Sequence, residues 1–592
     1  MYRTHNCGEL RRLNHSQIVT LCGWVHQIRN HGELVFLVLR DHYGITQVTI
    51  SQKDLVETAQ KIKSEWLIQI QGKVELRPEN QVNNHQNTGE IEVIAQKIEI
   101  INDSPLPPFP IDQEQNVNEE LRYEYRYLDL RRPRMHHNLV FRSKLTQFIR
   151  NFYHQENFTE VETPILIKGT PEGSREYLVP SRIFPGKFFV LPQSPQQLKQ
   201  LLMIGGFDRY FQMAKCFRDE DLRGDRQPEF TQIDVEMSFI EQEDMIQLHE
   251  RLFFEILREF ASHKRIMWEE VLPRISYHEA MSKYGSDKPD LRFNLEIQSI
   301  TDLAQNSDFT VFKEIIQTGG VVHALSIPQG GQFSRKQIDE FTEIAKRNGL
   351  NGLAYLQIRE NQELGGSLVK IWSPDSLQKL QNLCSSKAGD LILVAAGKFN
   401  KVCNTLGQIR TYCGKALNLI DSDLLAPLWV YNFPAFEEND EGEIVAVHHP
   451  FTCPIQSDFE QYKNGDLTKI GSYTYDLVLN GVELGGGSIR IHDAKLQQEV
   501  FEVMGIKAED IDLRFGHLIK ALKYGAPPHG GIALGLDRLV MLLLDEPSIR
   551  EVIAFPKDNK TKDNMLGAPS PVAEKELKEL GLKIAEIKTE KN

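Results

Sequence analysis

Seven charged residues crowd nine positions in the segment CFRDEDLRGDRQPEFTQID (216–234): Arg218, Asp219, Glu220, Asp221, Arg223, Asp225 and Arg226. Charge pattern alone describes a solvated, salt-bridged face as well as it describes a site. The setting favours a site. Apolar, strand-like YFQMAKCF precedes the run and EFTQIDVEMSF follows it, so the loop would project its side chains from a rigid base. A guanidinium there suits a phosphoryl group, because its planar fork donates paired hydrogen bonds to oxygens. In GGIALGLDRL (530–539), glycines allow close backbone approach to a ligand, and Arg538 would open a helix whose free N–H groups favour anions. The chain has no G-x-x-x-x-G-K-[ST] phosphate loop, and the glycine pattern here is not the dinucleotide fingerprint. In YDLVLNGVELGGGSIRIH (475–492), Asn480-Gly481 marks a hairpin that brings Asp476 and Glu483 together, a carboxylate pair suited to magnesium. Arg490 follows three glycines that weaken a strand unless something approaches closely.

Other candidates are weaker alone. TPEGSREY (170–177) is a loop offering Glu172 to an ammonium group, and LPQSPQQLKQLL (191–202) places Ser194, Gln196 and Lys199 at a helix start, with Ser194 as cap and Pro195 first. His448-His449 reads as an ordinary histidine pair. Two further basic clusters, Arg131, Arg132 and Arg134, and Arg218, Arg223 and Arg226, are candidate phosphate-binding patches on a chain of net charge −14.

The elements that must position these groups follow from periodicity. VTLCGWVHQIR, ELVFLVLRD, ITQVTI, WLIQIQGKVELR and EIEVIAQKIEII alternate like short strands, which predicts a small barrel of the oligonucleotide-binding type over residues 1–104. DSPLPPFPID (103–112), with four prolines, opens a linker that runs to 135. An amphipathic helix is expected at 136–157. The motifs fall in 136–287 and 421–560, and between them 288–420 differs in texture and reads as an inserted domain, before a charged extension at 561–592. At 592 residues, three or four domains are expected. No apolar run long enough for a membrane span occurs, the N-terminus lacks a secretory signal's apolar core, and seven cysteines form no C-x-x-C pair, so a cytoplasmic protein with reduced thiols is expected.

In this order the segments resemble the class II aminoacyl-tRNA synthetases. FTEVETPIL (158–166), with Pro164, is similar to their first motif, which forms a dimer interface; FRDE with RQPEFTQID (217–234) to the second; GIALGLDRL (531–539) to the third. With TPEGSREY, QSPQQLK, HHPFT and ELGGGSIRIH, the chain resembles bacterial-type aspartyl-tRNA synthetases over nearly its full length. The resemblance implies an α/β multidomain fold: an N-terminal OB-fold barrel that binds the anticodon, an antiparallel-sheet catalytic domain and an inserted α+β domain related to one in tRNA amidotransferases. It implies ATP as substrate, Mg2+, L-aspartate, tRNA(Asp) and a homodimer, with no DNA and no membrane partner.

Roles carry over by residue. Arg218 and Arg538 would be catalytic and hold ATP phosphates, with Asp219, Glu220, Gln227, Phe230, Glu483, Gly535, Leu536 and Asp537 also at ATP, Phe230 beneath the adenine. Asp476 and Glu483 would hold magnesium. Aspartate would meet Glu172, Ser194, Gln196, Lys199, Arg218, His448, His449 and Arg490, the last with Lys199 on its side-chain carboxylate. Arg29, His31, Phe36 and Gln47 would read the anticodon, with Phe36 stacking on a base. Members that charge only tRNA(Asp) tend to carry leucine where this chain has His31, and those that also charge tRNA(Asn) tend to carry histidine, so the resemblance leans to the non-discriminating form. The chain departs from the family at Gln27-Ile28, where arginines are common, and at Ser174, Glu176 and Gln197-Leu198. The competing readings are a strictly tRNA(Asp)-specific enzyme, an asparaginyl- or lysyl-tRNA synthetase, and a synthetase-like RNA-binding protein without ligase activity.

Overall fold

The structure is a computed structural model and describes residues 1–113, 116–169, 173–220, 224–307, 309–439 and 441–585. The chain forms two compact units, Met1–Arg142 with Arg550–Pro571, and Ser143–Ile549 with Val572–Asn592.

The first unit holds a closed five-stranded barrel, β1 (Ile18–His31), β2 (Leu34–Asp41), β3 (Gly44–Ile50), β4 (Leu67–Leu76) and β5 (Ile91–Asn102), in the order β1-β2-β3-β5-β4. Its interior is the period-2 set expected of strands: Val19, Leu21 and Val25 from β1, Val35, Leu37 and Leu39 from β2, with partners from the other strands. Residues of opposite parity face outward, and in β1 a register shift between Val25 and Gln27 resets the alternation, so that Arg29 joins the outer face. Arg29 lies across from Phe36, and Phe36 across from Thr49, with Gln47 one pair along on the same face. The β1–β2 turn is tight because Gly32, at φ +74°, accepts a conformation that other residues resist.

Arg131, Arg132 and Arg134 do not form the phosphate-binding patch their spacing suggested. Arg131 pairs with Glu65 (3.0 Å) and lies over the Trp24 ring, Arg132 is buried beside Asp129 (3.4 Å), and Arg134 pairs with Glu551 (3.4 Å). Carboxylates have taken up all three, Glu65 and Glu551 from remote segments and Asp129 from one turn away.

The second unit is built on an eight-stranded sheet. In chain order its strands are β6 (Thr159–Glu160), β7 (Arg209–Phe217), β8 (Glu229–Ser238), β9 (Arg274–Ser276), β10 (Pro427–Tyr431), β11 (Thr474–Leu479), β12 (Val482–Ile489) and β13 (His529–Gly535). Their order across the sheet is β9-β10-β11-β12-β13-β8-β7-β6. The six strands from β10 to β7 pair antiparallel, and only the two edge strands run parallel to their neighbours. The helices of this region include α1 (Pro133–Gln155), α2 (Gln196–Ile204), α3 (Gln242–Phe260) and α4 (Leu536–Leu543), of which α2 and α4 bring residues to the site. Between β9 and β10 a separate five-stranded antiparallel sheet is inserted. Its strand Leu391–Gly397 is apolar throughout because it is covered on both sides: Leu391, Leu393 and Ala395 join one core cluster, Ile392 and Val394 the other. Among the described residues, no helix is long and apolar enough to cross a membrane.

Candidate active site

A cavity of about 350 Å³ lies over β8, β11, β12 and β13. Ser194, Gln196 and Lys199 reach it from α2 and its approach; Arg218, Glu220 and Gln227 from the β7–β8 connection; Phe230 from β8; and His448 and His449 from the loop before β11. Asp476, Glu483, Arg490, Gly535, Asp537 and Arg538 complete the expected set. Glu172, Asp221 and Arg223 lie outside the described residues. Two expected ATP contacts are placed elsewhere. Leu536 is buried in the core, and Asp219 is engaged through its main chain with Arg175. Ser194 accepts from the Gln196 N–H (3.3 Å), but the helix begins one residue later than expected, with Pro195 in the cap position.

Local geometry explains the convergence. The β11–β12 hairpin turns at Asn480 (φ 53°) and Gly481 (φ 81°), the left-handed pair of a two-residue turn. Val478 pairs with Glu483 and Leu477 with Gly485, so Leu484 is an extra residue, a β-bulge. Glu483 and Arg490 are an odd number of residues apart and would face opposite sides of a regular strand. The bulge resets the alternation, and both line the cavity. The neighbouring glycines give room to carboxylates. A Cβ on Gly486 would collide with the Asp476 carboxylate, and one on Gly531 with that of Glu236.

Two acids absent from the expected site dominate its floor. Along β8, Gln232, Asp234 and Glu236 share one face while Ile233 and Val235 fill the core on the other. Asp234 and Glu236 are wholly buried. Lys199 Nζ donates to Asp234 (2.7 Å) and lies 3.4 Å from Glu236. Arg490 donates from Nε (3.0 Å) and Nη2 (3.2 Å) to the two Glu236 oxygens, and from Nη1 to His449 Nε2 and Ser488 Oγ, both at 2.6 Å. Burial raises the Glu236 pKa, but Arg490 and Lys199 outweigh it and hold it below the ordinary value. For Asp234, burial prevails over Lys199 and the carboxyl is pushed up. His449 is kept neutral by burial and by Arg490. A guanidinium only donates, so His449 Nε2 accepts from Arg490, while Nδ1 lies 3.2 Å from the Phe451 N–H.

Donor counting then shows what this floor can still bind. Arg490 has five N–H groups and its four hydrogen bonds leave one. Lys199 has three, of which one donates to Asp234 and one faces Glu236. Against the described residues, one N–H on each cation remains, which matches the two oxygens of a single carboxylate.

At the other end, the Arg218 guanidinium lies 5.1 Å over the Phe230 ring, and among the described residues its buried Nε has no hydrogen-bond partner. Arg538 is held by the Glu483 carbonyl (3.0 Å) and by Asp225 (3.3 Å). Asp537 accepts from the Thr231 N–H (3.0 Å), fixing the start of α4 against β8. Between the ends stand Asp476 and Glu483. Burial pushes Asp476 up to about 6, His448 at 3.3 Å offsets part of that, and the Glu483 charge adds to it. His448 is lowered by burial and raised by Asp476, and its net shift is upward. Two crowded carboxylates with one protonating early are a donor set that a divalent cation would relieve. Among the described residues no cluster of three metal-ligating side chains occurs, but magnesium takes one or two carboxylates and completes its shell from phosphates and water.

On the barrel, the four residues expected to read RNA share the outer face. The His31 and Phe36 rings meet edge-on at 5.8 Å, Arg29 is the cross-strand neighbour of Phe36, and Gln47 donates to Glu92 (3.1 Å).

Residues 118–559 match the class II tRNA synthetases (D, K and N), and residues 19–101 match an OB-fold nucleic acid binding domain. The chain is 48% identical over 586 residues to the aspartate–tRNA(Asp/Asn) ligase of Rubrobacter xylanophilus, covering 98% of this chain and 97% of that protein. It is 46% identical over 599 residues to the aspartate–tRNA(Asp/Asn) ligase of Aquifex aeolicus, covering 99% and 98%. A protein of Ruminiclostridium cellulolyticum named aspartate–tRNA ligase is 46% identical over 98% of each chain. Among solved structures, asparaginyl-tRNA synthetase from Pyrococcus horikoshii with asparaginyl-adenylate aligns at a TM-score of 0.58 and 19% identity, over 94% of this chain and 98% of that one.

Proposed function

The chain belongs to the class II tRNA synthetases (D, K and N), and from that membership we propose that it is an aspartate–tRNA ligase that activates L-aspartate with ATP and charges both tRNA(Asp) and tRNA(Asn). The observation that carries aspartate is the pair of unused N–H donors on Lys199 and Arg490. A carboxylate accepts from both. An asparagine amide would set its own NH2 against one of them and leave a buried donor unsatisfied, a loss that discriminates strongly. A lysine side chain would bring a third cation. Aspartate-dependent pyrophosphate exchange tests the reading, and exchange with asparagine or lysine in place of aspartate would overturn it.

The chemistry requires positioning more than acid–base help. The substrate α-carboxylate is already ionised at neutral pH and attacks the α-phosphorus in line. Negative charge grows on the phosphoryl oxygens, where Arg218 would donate, with Arg538 holding the leaving pyrophosphate and Phe230 supporting the adenine. The terminal ribose hydroxyl of tRNA then attacks the aspartyl-adenylate. Glu220 and Gln227 would sit against ATP, and Ser194 and Gln196 against the substrate ammonium together with Glu172. Asp476 and Glu483 would hold Mg2+, which when bound offsets the charge of the ATP phosphates. Replacing both with Asn and Gln is expected to raise the Mg2+ concentration for half-maximal exchange at least tenfold, measured by titration.

Arg29, Phe36 and Gln47 would read a splayed anticodon base, and His31, packed on Phe36, supports dual tRNA specificity. His31→Leu is expected to cut tRNA(Asn) charging about tenfold while tRNA(Asp) charging stays within twofold, compared on matched transcripts. Unchanged tRNA(Asn) charging would remove His31 from the specificity determinants.

A homodimer and a cytoplasmic location are part of the proposal. The dimer is supported by an exposed apolar patch beside the first motif: Ile165 and Leu166 follow Pro164, and the strand Phe188–Val190, which carries exposed Phe188 and Phe189, bridges to Ile167. Phe188→Glu with Phe189→Glu is expected to convert dimer to monomer in sedimentation equilibrium.

A further inference from the structure

Gln196 is a cavity residue whose chemistry depends on which end of its amide faces the ligand. Presented as a carbonyl, it accepts from an ammonium; presented as NH2, it repels one. The choice can be worked out from a group whose polarity is certain.

That group is the Pro527 carbonyl, which can only accept. His529 Nδ1 lies 2.8 Å from it and must carry a proton. The ring is wholly buried and burial keeps it neutral, so Nε2 is bare. The Gln200 amide nitrogen lies 3.2 Å from Nε2 and donates to it. The Gln200 carbonyl is thereby turned toward Gln196, whose amide nitrogen donates to it at 3.2 Å. The Gln196 carbonyl is then the end left for the cavity that Gln196 lines. Reversing any one amide would set donor against donor or acceptor against acceptor all along the row. Gln200 is as buried as His529, so bulk solvent does not reach the mismatch.

We infer that Gln200 and His529 are positioning residues that lock the Gln196 carbonyl toward the cavity as the acceptor for the amino group of the substrate. Neither residue touches the ligand; each acts through the next. The inference rests on the proposed role of Gln196 at the ammonium. It adds that the discrimination originates two residues away, in the fixed tautomer of a histidine on β13. Helix α2 suits the task because Gln196 and Gln200 are four apart and stack on one face, while Lys199 serves the carboxylate beside them.

The test compares L-aspartate with succinate, which has the same two carboxylates and no amino group, by calorimetric binding to the full-length protein. Gln200→Met, close in size and unable to relay polarity, is expected to weaken aspartate about tenfold and succinate less than twofold, with the KM for ATP unchanged. Gln200→Glu, whose buried carboxyl in its protonated form donates its O–H to His529 Nε2 and accepts from Gln196 through the other oxygen, is expected to restore aspartate binding to within threefold. Equal weakening of both ligands by Gln200→Met, or failure of Gln200→Glu to restore aspartate, overturns the relay. Gln196→Ala separates the two claims. If that variant keeps the full preference for aspartate over succinate, the placement of Gln196 at the ammonium fails, whatever Gln200 does.

Discussion

Replacing Arg490 with leucine lowers kcat/KM for aspartate in pyrophosphate exchange by about a thousandfold, or roughly 4 kcal/mol of lost stabilisation, while the KM for ATP moves little. Two losses combine. The substrate carboxylate forfeits one of its two donors, and Glu236, wholly buried, forfeits the partner that holds it ionised. Removing one member of a buried ion pair costs about 3–5 kcal/mol because the other charge is stranded. Arg490→Leu is therefore expected to lose stability as well. Pairing it with Glu236→Gln separates the effects: the double variant recovers most of the stability, seen as a recovered urea midpoint, and none of the activity. Arg490→Lys does not rescue, since an ammonium cannot serve both Glu236 oxygens, His449, Ser488 and a ligand at once. Aspartate activity in the double variant within tenfold of the parent would show that Arg490 stabilises the sheet and does not bind the substrate.

Much of this site is legible in sequence where one short segment carries both the chemistry and its geometry. The β11–β12 hairpin announces itself through Asn480-Gly481, and the barrel strands through alternation, since a period of two decides which side chains go inside. Contacts that join distant segments leave no such trace. Arg131 and Arg134 look like free cations in the sequence, and Glu65 and Glu551 neutralise them only once the chain is folded. The run QIDVE on β8 does contain a signal, two acids alternating with two apolar residues, but that pattern describes a solvated strand face equally well. Only the burial of that face between α2 and Arg490 makes Asp234 and Glu236 part of the site. The glycines after Glu483 suggested close approach by a ligand. At Gly486 and Gly531 the approaching groups are the protein's own carboxylates.

Arg218→Ala is expected to reduce kcat for exchange by about 10²–10³-fold with a change in the KM for ATP of less than about fivefold. The magnitude is that of removing one well-aimed donor from a developing oxyanion. The split between kcat and KM follows from how Arg218 is held. Among the described residues its buried Nε has no hydrogen-bond partner, and its guanidinium rests on the Phe230 ring. A buried, unsatisfied donor on a charged group is costly. The fold tolerates that cost where an acceptor arrives during function, and an acceptor that gains charge in the transition state repays it most. Arg538 differs, since the Glu483 carbonyl and Asp225 already occupy part of its fork. Its loss is expected to raise the KM for ATP more than it lowers kcat. Arg218→Lys should fall close to Arg218→Ala, because lysine keeps the charge and loses both the planar fork and the stacking on Phe230. Steady-state exchange at varied ATP separates these outcomes. A large rise in KM with kcat intact for Arg218→Ala would reduce the residue to a ground-state phosphate ligand. The transition-state role would then pass to Arg538, the other guanidinium proposed to hold the ATP phosphates.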